Sequence, residues 1–310
     1  MRVLVTGGSG FIGFHLCCAL IDRGDRVTVL DSLTDGYDPA QKLDNLSHLA
    51  AKGGVAFIRG DIRSAGACDA ALSGADTVIH LAGLAGVRES IGSPELYTDV
   101  NVRGTAVLLA RAARAKVKGV VFASSSSVYG DGALPFLESA PLWPISPYGC
   151  SKRAAELLIS SFGNSWNKGA ISCRLFSVYG PRQRPDLAMR KFAAAILRGE
   201  QVTIYGDCTR DYTHVSDTVN GLVGAAERAA QGGRGAYNIG RGKGVSTREL
   251  LEMLENKLGK KARVMFAPMQ EGDVTNTLAD IRKAEKELGY APKIDIAEGV
   301  AGFARWMTGR

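Results

Sequence analysis

The sequence predicts an α/β fold: a doubly wound parallel sheet followed by a smaller C-terminal α/β region. Three observations carry this expectation. From Met1 to about residue 175, short continuous apolar runs alternate with amphipathic stretches. That is the pattern of strands buried on both faces and joined by right-handed helical crossovers. The first run passes directly into a glycine-rich turn and then a helical pattern. After residue 176 the texture changes, as Pro181 and Pro185 interrupt the chain and helices mix with short strands. The division is therefore drawn between 1–175 and 176–310, with segments expected to cross back.

The first strand, residues 2–6 (RVLVT), leads straight into TGGSGFIG at 6–13, and a helix follows over 11–23. Gly7, Gly10 and Gly13 stand three residues apart. A dinucleotide pyrophosphate needs bare backbone close to its oxygens and a helix N-terminus aimed at it, the arrangement of a Rossmann fold. Phe11 and Ile12 belong to the same candidate cradle. Tight turns use glycine too, but here the strand before and the helix after are both in place. The second strand, 26–30 (RVTVL), ends at Asp31. A carboxylate there accepts from both ribose hydroxyls and repels a 2′-phosphate, which favours NAD over NADP. A turn or cap role for Asp31 is the competing reading. The third strand, 55–59, precedes Asp61 and Ile62, which would face an adenine. The fourth, 76–80, runs into HLAG at 80–83, where Leu81 and Ala82 would pass the pyrophosphate.

An amphipathic stretch over 95–115 predicts a helix, and a fifth strand at 118–123 follows. It ends in four consecutive hydroxyls, Ser124 to Ser127. Serine favours turns, so a solvated loop and a site at a strand end both stand as readings. The next helix, 147–163, opens at Pro147 and carries Tyr148 and Lys152 at i and i+4 on one face. A free phenol titrates at about 10, too high for a base at neutral pH. A lysine ammonium one turn away would stabilise the phenolate, and a neighbouring serine hydroxyl could share the proton. A sixth strand spans 170–175. Beyond it come helices near 186–198, 215–230 and 246–257 and strands near 202–205 and 236–239.

Composition excludes other classes of function. The chain has 310 residues, 45% hydrophobic and 22% charged, enough to bury a substantial core. The net charge of +7 is spread along the chain, which suits an anionic small ligand and not a nucleic acid. Six cysteines, at 17, 18, 68, 150, 173 and 208, form no metal-type pair, so no metal is expected and reduced thiols are. A strand begins at once after Met1, without a basic segment, an apolar core or a cleavage site. No run reaches about 18 apolar residues. The expectation is a cytoplasmic protein without a membrane partner.

TGGSGFIG, SSSSVYG (124–130) and YGCSK (148–152), in this order and at these distances, resemble the signature set of extended short-chain dehydrogenase/reductases. The match continues through NVRGT (101–105), RLFSVYGPRQRPD (174–186) and YGDCTRDYTHVSD (205–217). The last two segments resemble the nucleotide-sugar branch. The resemblance implies Ser125, Tyr148 and Lys152 as the catalytic triad, NAD held throughout turnover with Tyr148 and Lys152 also contacting it, and Asn101 supporting the lysine. It implies residues 1–175 as the NAD-binding domain and 176–310 as the nucleotide-sugar-binding domain. It also implies a homodimer through the helices at 95–115 and 147–163.

Within that branch a 4-keto sugar has several fates. Dehydratases carry Asp-Glu directly after the catalytic Thr, and decarboxylases a Glu in this loop. Here Ser126 and Ser127 stand there, and neither shuttles protons near neutral pH. That leaves 4-epimerisation of a UDP-sugar. AGVRES (85–90), PRQRPD (181–186) and PMQEGDV (268–274) resemble UDP-glucuronate 4-epimerases, although Glu271 replaces a usual Pro and HLAG a usual HLAA. HLAGLAGVRES also resembles UDP-glucose 4-epimerases, which stay open, as does a non-catalytic NAD-binding regulator. On the uronate reading, Ser126 and Ser127 pin the C5 carboxylate while Arg184 offsets its charge; a surface cation is the alternative for Arg184. Arg210 would reach the UDP phosphates, Arg88 the sugar or phosphates, and Phe192 the uracil unless it is a core aromatic. Ser177 and Asp273, in two of the matched segments, complete the expected substrate contacts. Cys150 has no evident chemistry, and His214 reads as structural.

Overall fold

The structure is a computed structural model that describes residues 1–206 and 208–309. In chain order, β1 (Arg2–Thr6), α1 (Phe11–Asp22), β2 (Arg26–Asp31), α2 (Pro39–Lys52), β3 (Val55–Arg59), α3 (Ala65–Leu72) and β4 (Thr77–His80) build the first half of the large sheet. Helices α4 (Val87–Gly92) and α5 (Pro94–Tyr97), a π-helical turn at Thr98–Arg103 and α6 (Gly104–Arg114) lead to β5 (Gly119–Ser125), α7 (Pro147–Trp166) and β6 (Gly169–Leu175). The stretch expected as one helix over 95–115 is thus three pieces. The π turn widens the helix where Asn101 must face the site.

The second half contains β7 (Ser177–Tyr179), α8 (Ala188–Arg198), β8 (Gln201–Tyr205), β9 (Thr209–His214) and α9 (Val215–Ala230). It continues with β10 (Arg234–Ile239), β11 (Gly244–Ser246), α10 (Thr247–Leu258), β12 (Arg263–Ala267), α11 (Arg282–Leu288) and α12 (Ile296–Thr308).

Seven parallel strands form the large sheet in the order β10-β6-β5-β4-β1-β2-β3. The chain winds outward from β1 in both directions, so a crevice opens beyond the carboxyl ends of β1 and β4. Every residue of β5 and β6 is buried, because helices cover both faces. On one face α1 and α9 pack Leu16 and Leu20 with Val219 and Leu222. On the other α3, α6 and α7 pack Leu72, Leu108 and Ile159. The edge strand β3 is half exposed, with Phe57 in solvent.

A three-stranded sheet, β11-β9-β7, and the pair β12-β8 lie in the second region. Together with α8, α10 and α12 they enclose a separate core around Tyr179, Ile196, Leu254 and Phe303. Residues 215–239, which lie beyond the expected division at 175/176, return to the large sheet as α9 and β10. No helix among the described residues is long and apolar enough to cross a membrane.

Candidate active site

One cavity of about 680 Å³ runs across the carboxyl ends of β1, β2, β4 and β5 and continues to Arg184 and Arg210 in the second region. Its floor at one end is the glycine turn. Gly7 has φ +73°, and a Cβ there would sit 2.8 Å from the Ala82 amide nitrogen. A Cβ on Gly13 would sit 2.2 Å from the Gly7 carbonyl oxygen. These contacts leave room only for glycine and press α1 against the loop. Gly10 caps α1 without a side-chain hydrogen bond, and the first turn holds no acidic residue. The opening amides of α1 therefore remain available to an anion.

Asp31 is buried, with Oδ2 accepting from the Ser9 amide (3.2 Å) and Oδ1 from the Leu33 amide (2.9 Å). Two amides thus fix Asp31 in the turn, with its carboxylate in the cavity lining. Asp61 accepts from Arg63 through both oxygens, at 3.0 and 2.6 Å, which holds its carboxyl below the usual range. Phe11, Ile12, Ile62, Leu81 and Ala82 also line the cavity. The amides of Leu81 and Ala82 are tied to Thr6. This cradle fits the dinucleotide expected from the sequence: bare backbone at the pyrophosphate position, a carboxylate at the ribose position and apolar walls between.

The reactive end is built by β5 and α7. Ser146 caps α7 by accepting from the Gly149 amide (3.1 Å), and Pro147 follows. This cap aims the first turn, with Tyr148, at the strand end. Burial raises the Tyr148 phenol above its ordinary range, while a hydrogen bond with Ser125 and the charge of Arg184 pull it back down. Lys152 donates to the Ala123 carbonyl (2.8 Å), and its Nζ lies 5.9 Å from the Tyr148 ring centroid. Burial pushes Lys152 down to about 8, against an upward pull from Glu156. Two cations thus stand near Tyr148: Lys152, one helical turn along, and Arg184, whose charge lowers the phenol. Asn101 makes no direct hydrogen bond to Lys152. Its side chain pairs with the backbone of Leu84 (2.7 and 3.0 Å) and donates to Ser151 Oγ (2.9 Å).

Among the expected substrate contacts, Ser177, Arg184 and Arg210 line the cavity. Arg184 is no surface cation: its side chain is 23% exposed and grips Asp186 through Nε (2.9 Å) and Nη2 (2.5 Å). Arg210 donates to the carbonyls of Val274 (2.6 Å) and Thr275 (2.7 Å). Of the other five, Ser126 and Ser127 are half-buried in a 3-10 turn directly after β5, and the Ser127 amide and hydroxyl both meet Ser125 Oγ at 3.1 Å. Arg88 and Asp273 form an ion pair (3.0 Å) beside Tyr205. Phe192 is buried in the core of the second region, the core-aromatic reading. His214 caps α9 by accepting from the Ser216 amide, and Cys150 is exposed.

A family model described as GDP-mannose 4,6 dehydratase matches residues 4–303. The chain belongs to this family. The resemblance to extended short-chain dehydrogenase/reductases of nucleotide sugars is thereby borne out, as is the doubly wound fold. Among family members, the UDP-glucuronate 4-epimerase of Thermodesulfobacterium geofontis is 36% identical over 98% of this chain and 95% of its own. A Bacillus cereus UDP-glucuronic acid 4-epimerase, solved with UDP-glucuronic acid and NAD, superposes with a TM-score of 0.95 at 33% identity, covering 100% of this chain and 99% of that one. MoeE5, solved with UDP-glucose and NAD, gives a TM-score of 0.90 at 37% identity with the same coverage.

The dehydratase-family cavity also contains residues that the sequence reading passed over. Lys42 on α2 is buried, donates to the Thr34 carbonyl (2.8 Å) and Oγ1 (3.0 Å), and lies 5.0 Å from the Tyr37 ring centroid. Burial lowers its pKa and pushes Tyr37 up to about 12. The Tyr37 hydroxyl and Gln183 Oε1 are buried without a partner among the described residues, and both residues line the cavity. The available signal was the i, i+3, i+7 placement of Lys42, Asn45 and Leu49 on one buried helix face. The described residues hold no group of three or more metal-ligating side chains. The cavity therefore brings a buried phenol, a serine hydroxyl and a buried lysine together beside a cradle that fits a dinucleotide.

Proposed function

We propose that this chain, an NAD-dependent UDP-sugar 4-epimerase, converts UDP-glucuronate to UDP-galacturonate. One observation carries the choice of a uronate. Arg184, in the wall of the reactive end and felt by Tyr148, has no described residue accepting from its Nη1. A carboxylate at C5 of the sugar can take that donor. The names of the relatives support the same reading. The neutral alternative, UDP-glucose, is favoured by one feature: Asp186 already offsets the charge of Arg184.

NAD in the cradle supplies a hydride acceptor and donor at C4 of the sugar. Tyr148 takes the proton of the 4-hydroxyl and later returns it, with Ser125 sharing the hydrogen bond. Lys152 fixes the strand end through Ala123 and contributes a buried positive charge. The 4-ketone must expose its other face before it is reduced again. A carboxylate beside that ketone is prone to lose CO₂ when its bond stands perpendicular to the carbonyl. Arg184, with Ser177 nearby in the wall, would hold it away from that alignment. Arg210 meets the diphosphate. Residues 1–175 hold NAD in this reading, and 176–310 supply the nucleotide-sugar contacts. It includes a homodimer through α5 to α7, where Leu96 and Leu157 are exposed. It also includes a cytoplasmic location, with which six free cysteines agree.

The test supplies UDP-glucuronate and UDP-glucose together and follows both products by chromatography. A higher kcat/KM for the uronate is expected. A preference for the neutral sugar overturns the choice of substrate and leaves the epimerase chemistry standing.

A further inference from the structure

Ser124, the first of the four serines, turns its hydroxyl away from the triad. It donates to Glu156 Oε1 at 2.6 Å, across to α7. Glu156 stands one turn beyond Lys152 on that helix and is 4% exposed. Arg174 of β6, equally buried, grips both of its oxygens at 3.0 Å, and Arg153 adds a contact at 3.2 Å. Arg174 Nη1 also donates to Tyr129 Oη (2.9 Å), which donates to Asn238 Oδ1 (2.6 Å) on β10. A satisfied polar chain therefore runs behind the triad from the end of β5 to the edge of the large sheet. Such a network is costly unless complete, and here each member has its partner.

We infer that Glu156 is a positioning residue for the reaction: clamped by Ser124 and Arg174, it locks α7 to the end of β5 and places a carboxylate one helical turn from Lys152. The geometry makes adjacent residues of one strand end do separate tasks. Ala123 receives Lys152, Ser124 receives Glu156, and Ser125 faces Tyr148. The two bonds at 123 and 124 fix the helix face one turn at a time.

The electrostatics agree. Lys152 Nζ lies 4.8 Å from the Phe122 ring centroid of β5 and 5.9 Å from that of Tyr148, with Glu156 on its own helix and His80 of β4 as the titratable groups coupled to it, while Arg174 of β6 meets it only through Glu156. Burial holds His80 near 3, so it is neutral at working pH. Glu156 is the one charge that raises Lys152.

The inference rests on the epimerase reading for its assay, and the test separates the two. The wild-type enzyme is first assayed on UDP-glucuronate and UDP-glucose; no turnover of either contradicts the epimerase reading and leaves the clamp to be judged on the substrate that is used. With an active wild type, kcat is followed from pH 6 to 10. Glu156→Gln keeps the shape and removes the charge. Its alkaline limb is expected to move to lower pH by about one unit. Glu156→Asp keeps the charge, and its limb is expected to stay in place. If Glu156→Gln fails to fold because Arg174 is left unpaired, the double variant Glu156→Gln with Arg174→Gln removes both charges and should shift the limb in the same direction. An unmoved limb in the folded Gln variant, or an equal shift in the Asp variant, overturns the inference.

Discussion

The two ends of the cavity are built on different principles. The dinucleotide end is mostly backbone, a turn between β1 and α1 packed so closely that a Cβ on Gly13 would lie 2.2 Å from a carbonyl oxygen. The opposite end, proposed for the sugar, is mostly side chains, with Arg184 and Arg210 carried on segments that follow β6 and form β9. Backbone cradles tolerate almost no change, whereas side-chain walls can be re-tuned residue by residue. A single fold can in this way keep one cofactor and change its substrate.

Substitutions at the two ends should therefore differ in kind. The largest effect is expected at the cradle: Gly13→Ala should weaken NAD binding about 100-fold, measured by calorimetry on the folded variant. Near-normal affinity would show that the turn has slack the packing denies. At the sugar end, Arg184→Gln should lower the ratio of kcat/KM for UDP-glucuronate over UDP-glucose about 30-fold while NAD affinity holds. An equal loss on both sugars would make Arg184 a general partner of Tyr148 and not a reader of the carboxylate. The smallest effect belongs to Arg88, whose half-exposed pair with Asp273 lies outside the wall. Arg88→Ala should change kcat/KM less than about threefold, and a larger loss would bring that loop back into the site.

The same contrast explains what was legible in the sequence. The cradle is local: strand, glycines and helix lie within residues 2–23, and β1 and β3 were read with their observed bounds. Tyr148 and Lys152 were legible for the same reason, being one helical turn apart. The sugar end depends on how distant segments meet. Ser126 and Ser127 follow Ser125 into a 3-10 turn, which a run of four serines does not disclose. Phe192 had equal claims as wall or core, and only the packing of α8 decides for the core. Lys42 went unread because a lysine on an amphipathic helix ordinarily points to water, and here Thr34 draws it inward. An α-helical period read throughout 95–115 passes over a π turn at Thr98–Arg103.

The central claim is that Tyr148 moves the proton of the hydroxyl on the carbon being inverted. Tyr148→Phe removes one oxygen and keeps the ring, so NAD and the UDP-sugar should bind nearly as before. Single-turnover inversion at pH 8 should fall at least about 1,000-fold. Inversion at the wild-type rate in that variant would contradict the account.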